Sequence, residues 1–227
     1  MDVRAGEEML RCAAVFLDAE TMELLRVLHG FTRLRLSGAG DGQRKLAQLV
    51  ESDADQAALE RELHGFLSQC WDSLDGLGRE VNLCMAGLFP EAGLFPPLRM
   101  TRQCTFYVVR KKLHDYPGTV GHPVSGLLWH RTRDDPAEAY ERLSFLYNWS
   151  LFAPVPMPDG RLLPGSGDVP EVMRGLVRAV RSGPLGRCGI SEGSDEIVRW
   201  LERLAADCYG ELARAANRPA GGGATTR

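Results

Sequence analysis

Residues 59–84 read LERELHGFLSQCWDSLDGLGREVNLC, and their apolar side chains recur at every third or fourth position. The recurring residues are Leu59, Leu63, Phe66, Cys70, Leu74, Leu77, Val81 and Cys84. Because an α-helix turns once in about 3.6 residues, this spacing places all of them on one face. The stretch therefore predicts a helix of about seven turns that buries this face along its whole length.

A second long helix is predicted before it, over residues 8–36. Leu10, Leu17, Leu24 and Phe31 recur there every seven residues and form one apolar stripe. The glycine-rich stretch SGAGDG at 37–42 predicts the end of this helix, because glycine clusters favour helix caps and loops. Two long helices joined by a loop predict an antiparallel pair.

Shorter elements complete the predicted order. The β-rich stretch at 104–109 predicts a short extended segment or edge strand. Helices are predicted over 123–129, from 135 with Tyr140, Leu143, Tyr147 and Leu151 buried, over 168–182, and over 194–216, with a proline- and glycine-rich loop at 153–167. The predicted fold class is all-α: a helical bundle around the long antiparallel pair, forming one domain over 1–216 with a flexible tail at 217–227.

Composition narrows the class of protein. Hydrophobic residues make up 44% of the chain and charged residues 25%, which is typical of globular proteins. No apolar run approaches the roughly 18 residues that a membrane span needs, and the N-terminus has no apolar signal segment. The six cysteines form no C-x-x-C pair and favour a reducing compartment. We therefore expect a cytoplasmic protein that does not bind a membrane.

Known catalytic and cofactor motifs are missing from the sequence. There is no phosphate-binding or dinucleotide-binding glycine loop, no H-E-x-x-H and no G-x-S-x-G. The five histidines have poor spacing for a metal site, and we expect them to be exposed or hydrogen-bonded. No cofactor, no metal and no catalytic residue is predicted.

One polar flank lies beside the apolar face of residues 59–84, formed by Asp72, Asp75, Arg79 and Asn82. Paired carboxylates can do acid–base chemistry or hold a cation. An ion pair between Asp75 and Arg79 is the structural alternative, and it is the one that we favour. With His64, eight residues before Asp72, the carboxylates leave a metal-dependent enzyme as an open alternative.

Charge is unevenly distributed along the chain. Residues 51–95 carry nine acidic side chains against Arg61 and Arg79, whereas residues 99–133 carry seven basic side chains against Asp115. The basic segment predicts an anion-binding or RNA-binding patch formed by Arg99, Arg102, Arg110, Lys111, Lys112 and Arg131. Two solvated faces or an internal ion-pair network are the alternatives, and they are the more ordinary use of such charges.

Three stretches resemble the HEPN superfamily, whose helical domains are often found in bacterial defence and toxin systems. They are SLDGLGREVN at 73–82, LYNWSLF at 146–152 and the closing helix at 194–216. HEPN ribonucleases carry an arginine followed four to six residues later by a histidine. At those positions this chain has Tyr147, before Asn148, and Phe152; counting from Arg142 instead also reaches no histidine. The resemblance therefore implies a non-cleaving member that binds RNA, a nucleotide or a partner protein.

Three functions follow from these observations. The first is a non-catalytic helical interaction or regulatory domain, with a protein partner or a second copy of the chain. The second is an RNA- or nucleotide-binding protein that uses residues 99–133. The third is the metal-dependent enzyme that uses Asp72, Asp75 and His64.

Overall fold

The computed structural model describes residues 3–52, 54, 56–96, 104–132, 140, 143–144, 147, 155–156, 162–163 and 187–217. Its helices are α1 (Val3–Ala13), α2 (Ala19–Glu51), α3 (Gln56–Leu88), α4 (Phe106–Asp115), α5 (Pro123–His130) and α6 (Arg187–Ala216). A 3₁₀ turn spans Pro90–Ala92, and the short strands β1 (Val155–Pro156) and β2 (Leu162–Leu163) pair in antiparallel fashion. The predicted all-α fold class is confirmed.

The chain divides into two compact units. Unit 1 comprises residues 1–31, 75–130 and 203–227, and unit 2 comprises residues 32–74 and 131–202. The single domain predicted over 1–216 stays a prediction, and the tail predicted over 217–227 lies outside the described residues except for Asn217. Within the described ranges, no helix is both long enough and apolar enough to cross a membrane.

The two longest helices, α2 and α3, run antiparallel, as predicted. Residues successively later in α2 contact residues successively earlier in α3. The contacts join His29 to Glu80 in unit 1, and Arg35 to Asp72 and Lys45 to Glu62 in unit 2.

The buried face of α3 is the one predicted from its spacing. Each of the recurring residues from Leu59 to Cys84 is buried. Leu67, Leu83 and Met85 are buried beside them and widen the face. Helix α3 therefore supplies core residues to both units.

The glycine cluster at 37–42 does not end a helix, so that prediction is wrong. Helix α2 continues through it to Glu51. A Cβ atom at Gly42 would lie 3.3 Å from the Cβ and 3.4 Å from the Cα of Phe66. Glycine is used here for close approach to α3, while Ala39 and Leu46 are fully buried on the same face.

The helix predicted over 8–36 is in fact two helices, and its predicted stripe is only partly buried. Asp18 accepts a hydrogen bond of 2.7 Å from the Thr21 N–H group and so caps the start of α2. The buried face of α2 consists of Met22, Leu25, His29, Thr32, Leu36, Ala39 and Leu46. His29 and Thr32 are polar, so the hydrophobic pattern of the sequence predicted that a neighbouring face of α2 would be buried instead.

The extended segment predicted near 104–109 is helical from Phe106 onward. Thr105 has an extended backbone and caps the helix by accepting a hydrogen bond from the Val108 N–H group. Asp75 accepts a second one, 2.9 Å long, from the Phe106 N–H group. These two caps outweigh the β-propensity of the sequence that follows.

The remaining helical predictions have mixed outcomes. Helix α5 lies where it was predicted, and α6 begins at Arg187, seven residues earlier than expected. The predicted buried positions of α6, Ile197, Leu201, Leu204, Cys208 and Leu212, are confirmed. The helix predicted from 135 is described only at 140, 143–144 and 147, where Leu143 is buried. The helix over 168–182 and most of the loop at 153–167 lie outside the described residues.

Candidate functional site

A buried polar cluster lies in the core of unit 1 and consists of His29, Glu80 and Tyr209. The Nδ1 atom of His29 is 2.8 Å from Glu80 Oε2, and the Tyr209 hydroxyl donates to Glu80 Oε1 over 3.2 Å. The rings of His29 and Tyr209 meet edge to face, with centroids 5.1 Å apart. Helices α2, α3 and α6 each contribute one member, so the cluster ties three elements of this unit together.

All three members of the cluster are buried. Glu80 has no exposed surface and His29 is 4% exposed. The Tyr209 hydroxyl donates to Glu80 Oε1, and the tautomer of the imidazole decides which atom is the donor between His29 Nδ1 and Glu80 Oε2. Burial, and then the Glu80 carboxylate, raise the pKa of Tyr209 well above its ordinary value. The same two causes, in the same order, raise the pKa of the Cys84 thiol.

The free face of the His29 ring is covered by α1. Within the described part of the chain, His29 Nε2 has no hydrogen-bond partner. A Cβ atom at Gly6 would lie 2.6 Å from it, so the glycine backbone packs directly against this nitrogen. A histidine backed by a carboxylate can serve as a general base, but its reacting nitrogen must reach substrate. The cluster therefore holds three helices of unit 1 together, and α1 covers the one ring nitrogen that stays unsatisfied.

The residues of the predicted polar flank of α3 make two kinds of contact, which are hydrogen bonds to backbone atoms and an ion pair. In unit 1, three of its residues hold backbone atoms: Asp75 binds the Phe106 N–H group, Arg79 Nε donates to the Cys104 carbonyl over 3.3 Å, and Asn82 exchanges two hydrogen bonds with the Phe95 backbone. Asp72 belongs to unit 2 and pairs with Arg35 across 3.5 Å. In unit 1, the flank therefore holds the backbone at Phe95, Cys104 and Phe106.

The alternative of a metal-dependent enzyme was predicted from His64, Asp72 and Asp75, and the described residues do not form a metal-type cluster there. His64 and Asp72 belong to unit 2, and Asp75 belongs to unit 1, where it caps α4. Among the side chains that the structure describes, no three or more histidine, cysteine, aspartate or glutamate residues gather as a metal site would require.

The predicted basic patch is only partly described, and its members differ in burial. Arg110 is buried, with its guanidinium 5.2 Å from the Tyr107 ring and 5.4 Å from the Trp129 ring. Lys112 Nζ donates to the Gly93 carbonyl over 2.6 Å, whereas Lys111 is exposed. Arg131 belongs to unit 2 and is half-buried, and Arg99 and Arg102 lie outside the described residues.

The degenerate HEPN-like positions are described only at Tyr147. Its ring stacks on Trp71 within unit 2, with centroids 4.5 Å apart and planes at 2°. This contact agrees with an aromatic packing role for Tyr147. Arg142, Asn148 and Phe152 lie outside the described residues.

A second feature, which the sequence analysis did not identify, is an exposed apolar stripe on α2. Val27 is 61% exposed, Phe31 37% and Leu34 68%. Positions i, i+4 and i+7 share one face of a helix, and α2 is continuous through all three. Gly30 lies beside them, and apart from its own turn of helix no described atom lies within 4 Å of where its Cβ would stand. We call Val27, Gly30, Phe31 and Leu34 the α2 stripe.

The stripe could have been found from the sequence only by assigning the buried face of α2 correctly. Once His29 and Thr32 are placed inside, Val27 and Leu34 must face outward. Comparisons of this chain with protein-family models, with curated proteins and with solved structures gave no match.

Proposed function

We propose that the protein is a non-catalytic helical interaction domain that binds an amphipathic helix through the α2 stripe. The observation that carries this proposal is the exposure of Val27 and Leu34, two large apolar side chains on one face of a continuous helix. Contiguous apolar surface that faces water is typical of a binding site.

The energetics favour a helix as the occupant. Burying an exposed valine or leucine side chain contributes about 1.5–3 kcal/mol. A ridge of side chains spaced by i, i+4 and i+7 fits the grooves of another helix, with axes about 8–10 Å apart. The absence of a side chain at Gly30 permits such an approach.

Two further observations support a role without catalysis. The polar residues of unit 1 with the most catalytic potential, His29 and Glu80, are buried and in contact with each other, and α1 packs against the His29 ring. The flank residues Asp75, Arg79 and Asn82 are occupied in holding backbone. This proposal retains the HEPN-like hypothesis in its non-cleaving form, and with it a cytoplasmic location, which the free thiols of the five described cysteines favour.

The test uses a fluorescent 18-residue peptide of leucine, glutamate and lysine with one apolar helical face. We expect it to bind the dilute full-length chain saturably, and Val27→Glu to weaken binding by about tenfold or more because a charge replaces an apolar contact. Val120→Glu is the matched control, since Val120 is also exposed, at 53%, but lies outside the stripe. Absence of binding to the wild-type chain, or equal binding by both variants, would overturn the proposal.

A further inference from the structure

We infer that a groove in unit 1 binds a small apolar molecule that carries an ammonium group. The groove has a volume of about 270 Å³ and lies where the turn between α1 and α2 packs beside the end of α3 and the segment that follows it. All of its lining residues belong to unit 1, and none of them belongs to the α2 stripe. The inference therefore goes beyond the proposed function and does not depend on it.

The interior of the groove is apolar. Its lining includes Leu83 and Leu94, which are 1% and 9% exposed, and the half-buried side chains of Phe16 and Leu17. An apolar cavity of about 150 Å³ can hold benzene, so this larger groove has room for one aromatic ring and a short chain attached to it. Sites for small molecules are typically apolar in this way, with a few polar groups that fix the orientation of the ligand.

Both walls of the groove are held in place by contacts within unit 1. A Cβ atom at Gly87 would lie 2.5 Å from Leu17 Cδ2 and 2.9 Å from Phe16 Cδ2, so the turn between α1 and α2 packs directly on the backbone of α3. On the other wall, Asn82 exchanges hydrogen bonds of 2.7 and 3.0 Å with the backbone of Phe95, which stands between two lining residues. Because these walls are already ordered, a ligand does not have to order them when it binds.

The two polar side chains among the described lining residues, Asp18 and Thr21, offer hydrogen-bond acceptors to a ligand. Asp18 Oδ1 accepts from the Thr21 N–H group over 2.7 Å, and Oδ2 accepts from the Thr21 hydroxyl over 3.0 Å. Since the hydroxyl proton is used in this bond, Thr21 Oγ1 presents only lone pairs, and the carboxylate keeps further acceptor sites. An ammonium group has three donors and no acceptor, so it matches these two side chains.

Charge favours a cation at the same place. Hydrogen bonds from the backbone and then from the side chain of Thr21 lower the pKa of Asp18, so its carboxylate is ionised at neutral pH. Asp18 is the one charged residue among the described residues that line the groove. Exposed Glu20 and Glu91 each stand next to a lining residue in the sequence, whereas Lys112 lines a different cavity. A carboxylate beside an apolar wall attracts a cation more strongly than it does in bulk water.

A nuclear magnetic resonance titration of the full-length chain tests the site, with 2-phenylethylammonium as the probe. Neutral 2-phenylethanol and anionic phenylacetate have a similar shape and serve as comparisons. We expect the ammonium probe to bind with a dissociation constant on the order of 1 mM, as suits a ligand of this size. It should bind about fivefold more tightly than the alcohol because of the Asp18 carboxylate, and phenylacetate should bind least.

Two variants locate the site. Ala86→Leu places a larger side chain in the lining of the groove and suits a helix, so binding of all the probes should be lost. Asp18→Asn keeps the helix cap, because asparagine caps helices as well as aspartate does, and should reduce the preference for the ammonium probe to less than about twofold. Asp115→Asn is the matched control, since it removes an exposed carboxylate outside the groove and should leave the preference unchanged. Circular dichroism checks that each variant is folded.

Three results would overturn the inference. They are absence of saturable binding by 2-phenylethylammonium, equal binding of the three probes, and binding that Ala86→Leu leaves unchanged. A preference for the ammonium probe that survives in Asp18→Asn would likewise overturn the assignment of the ammonium group to this groove. None of these results bears on the α2 stripe, whose test uses the helical peptide and Val27→Glu.

Discussion

The antiparallel pair of α2 and α3 carries polar contacts of two kinds. In unit 1, His29, Glu80 and Tyr209 are buried and joined by hydrogen bonds of 2.8 and 3.2 Å. In unit 2, Arg35 pairs with Asp72 at 3.5 Å, and the two side chains are 32% and 40% exposed. The two contacts use the same helices but differ in their access to water.

This difference determines what each contact does. A buried donor or acceptor that loses its partner costs the full free energy of its desolvation, about 1–3 kcal/mol, and more when it is charged. An exposed ion pair replaces favourable contacts with water by a contact between the two charges, so it contributes only about 0–1 kcal/mol to the free energy of unfolding. We therefore expect the cluster in unit 1 to specify how helices pack, and the ion pair in unit 2 to matter little.

The largest effect is expected for Glu80→Ala. It removes the hydrogen-bond partner of both His29 and Tyr209 and leaves a cavity, so the free energy of unfolding should fall by about 3 kcal/mol. Glu80→Gln keeps the shape and one acceptor and should lose less. Urea denaturation followed by circular dichroism measures both variants. A loss below about 1 kcal/mol for Glu80→Ala would mean that water already reaches the cluster.

Gly6→Ala should produce the next largest effect. Its new Cβ would stand 2.5 Å from the His29 ring, which Glu80 and Tyr209 hold in place, so overpacking should cost about 2 kcal/mol. Gly30→Ala is the matched control, because it is also in a helix but its Cβ meets nothing within 4 Å. That control should gain roughly 0.5–1 kcal/mol from helix propensity. Equal shifts in the two urea midpoints would contradict the close contact between α1 and His29.

How far the sequence predicts this molecule depends on whether the apolar pattern is interrupted. The face of α3 was predicted correctly because an apolar residue stands at each of its turns. The face of α2 was not, because His29 and Thr32 lie inside and glycines 38, 40 and 42 resemble a loop. In each case the deciding contact is with another helix and is absent from the local sequence.

The cluster of His29, Glu80 and Tyr209 was harder to predict from the sequence than the buried face of either helix. Glu80 lies within the predicted long helix at 59–84, yet its partners are 51 and 129 positions away along the chain. No local spacing connects them, and a glutamate on a helix is ordinarily exposed. Asp75, Arg79 and Asn82 lie along α3, but their bonds to the backbone of Phe106, Cys104 and Phe95 join positions 13 to 31 residues apart, which local spacing does not reveal.

Tyr209→Phe should have a smaller effect that depends on pH. Loss of one hydrogen bond to Glu80 should cost about 1 kcal/mol at pH 8. The pKa of Tyr209 is raised in the folded state, so the stability that its proton contributes is complete below the ordinary pKa of 10.0 and is lost as pH rises beyond it. The wild type should therefore lose stability between pH 9 and 11 faster than the variant, by up to about 1.4 kcal/mol per pH unit above the ordinary pKa.

Urea titrations at several pH values measure this difference between the two proteins. The thiols of Cys84 and Cys104, the latter with its pKa raised to about 11, change stability with the same sign, but they do so in both proteins and cancel. Parallel stability curves from pH 8 to 11 would contradict the burial of the Tyr209 hydroxyl against Glu80.

Asp72→Asn should produce the smallest effect, and it tests the other side of the comparison. The Asp72 side chain is 40% exposed and the Arg35 side chain is 32% exposed, so water reaches both charged groups even though the Arg35 Nε atom itself is buried. The free energy of unfolding should fall by about 0.5 kcal/mol at low salt, and the loss should shrink in ~0.5 M sodium chloride, where the Debye length is only a few ångströms. The loss from Glu80→Gln should persist in the same salt, because mobile ions do not enter a core that excludes water. If both losses disappeared in salt, or if both persisted, burial would not be what separates the two contacts.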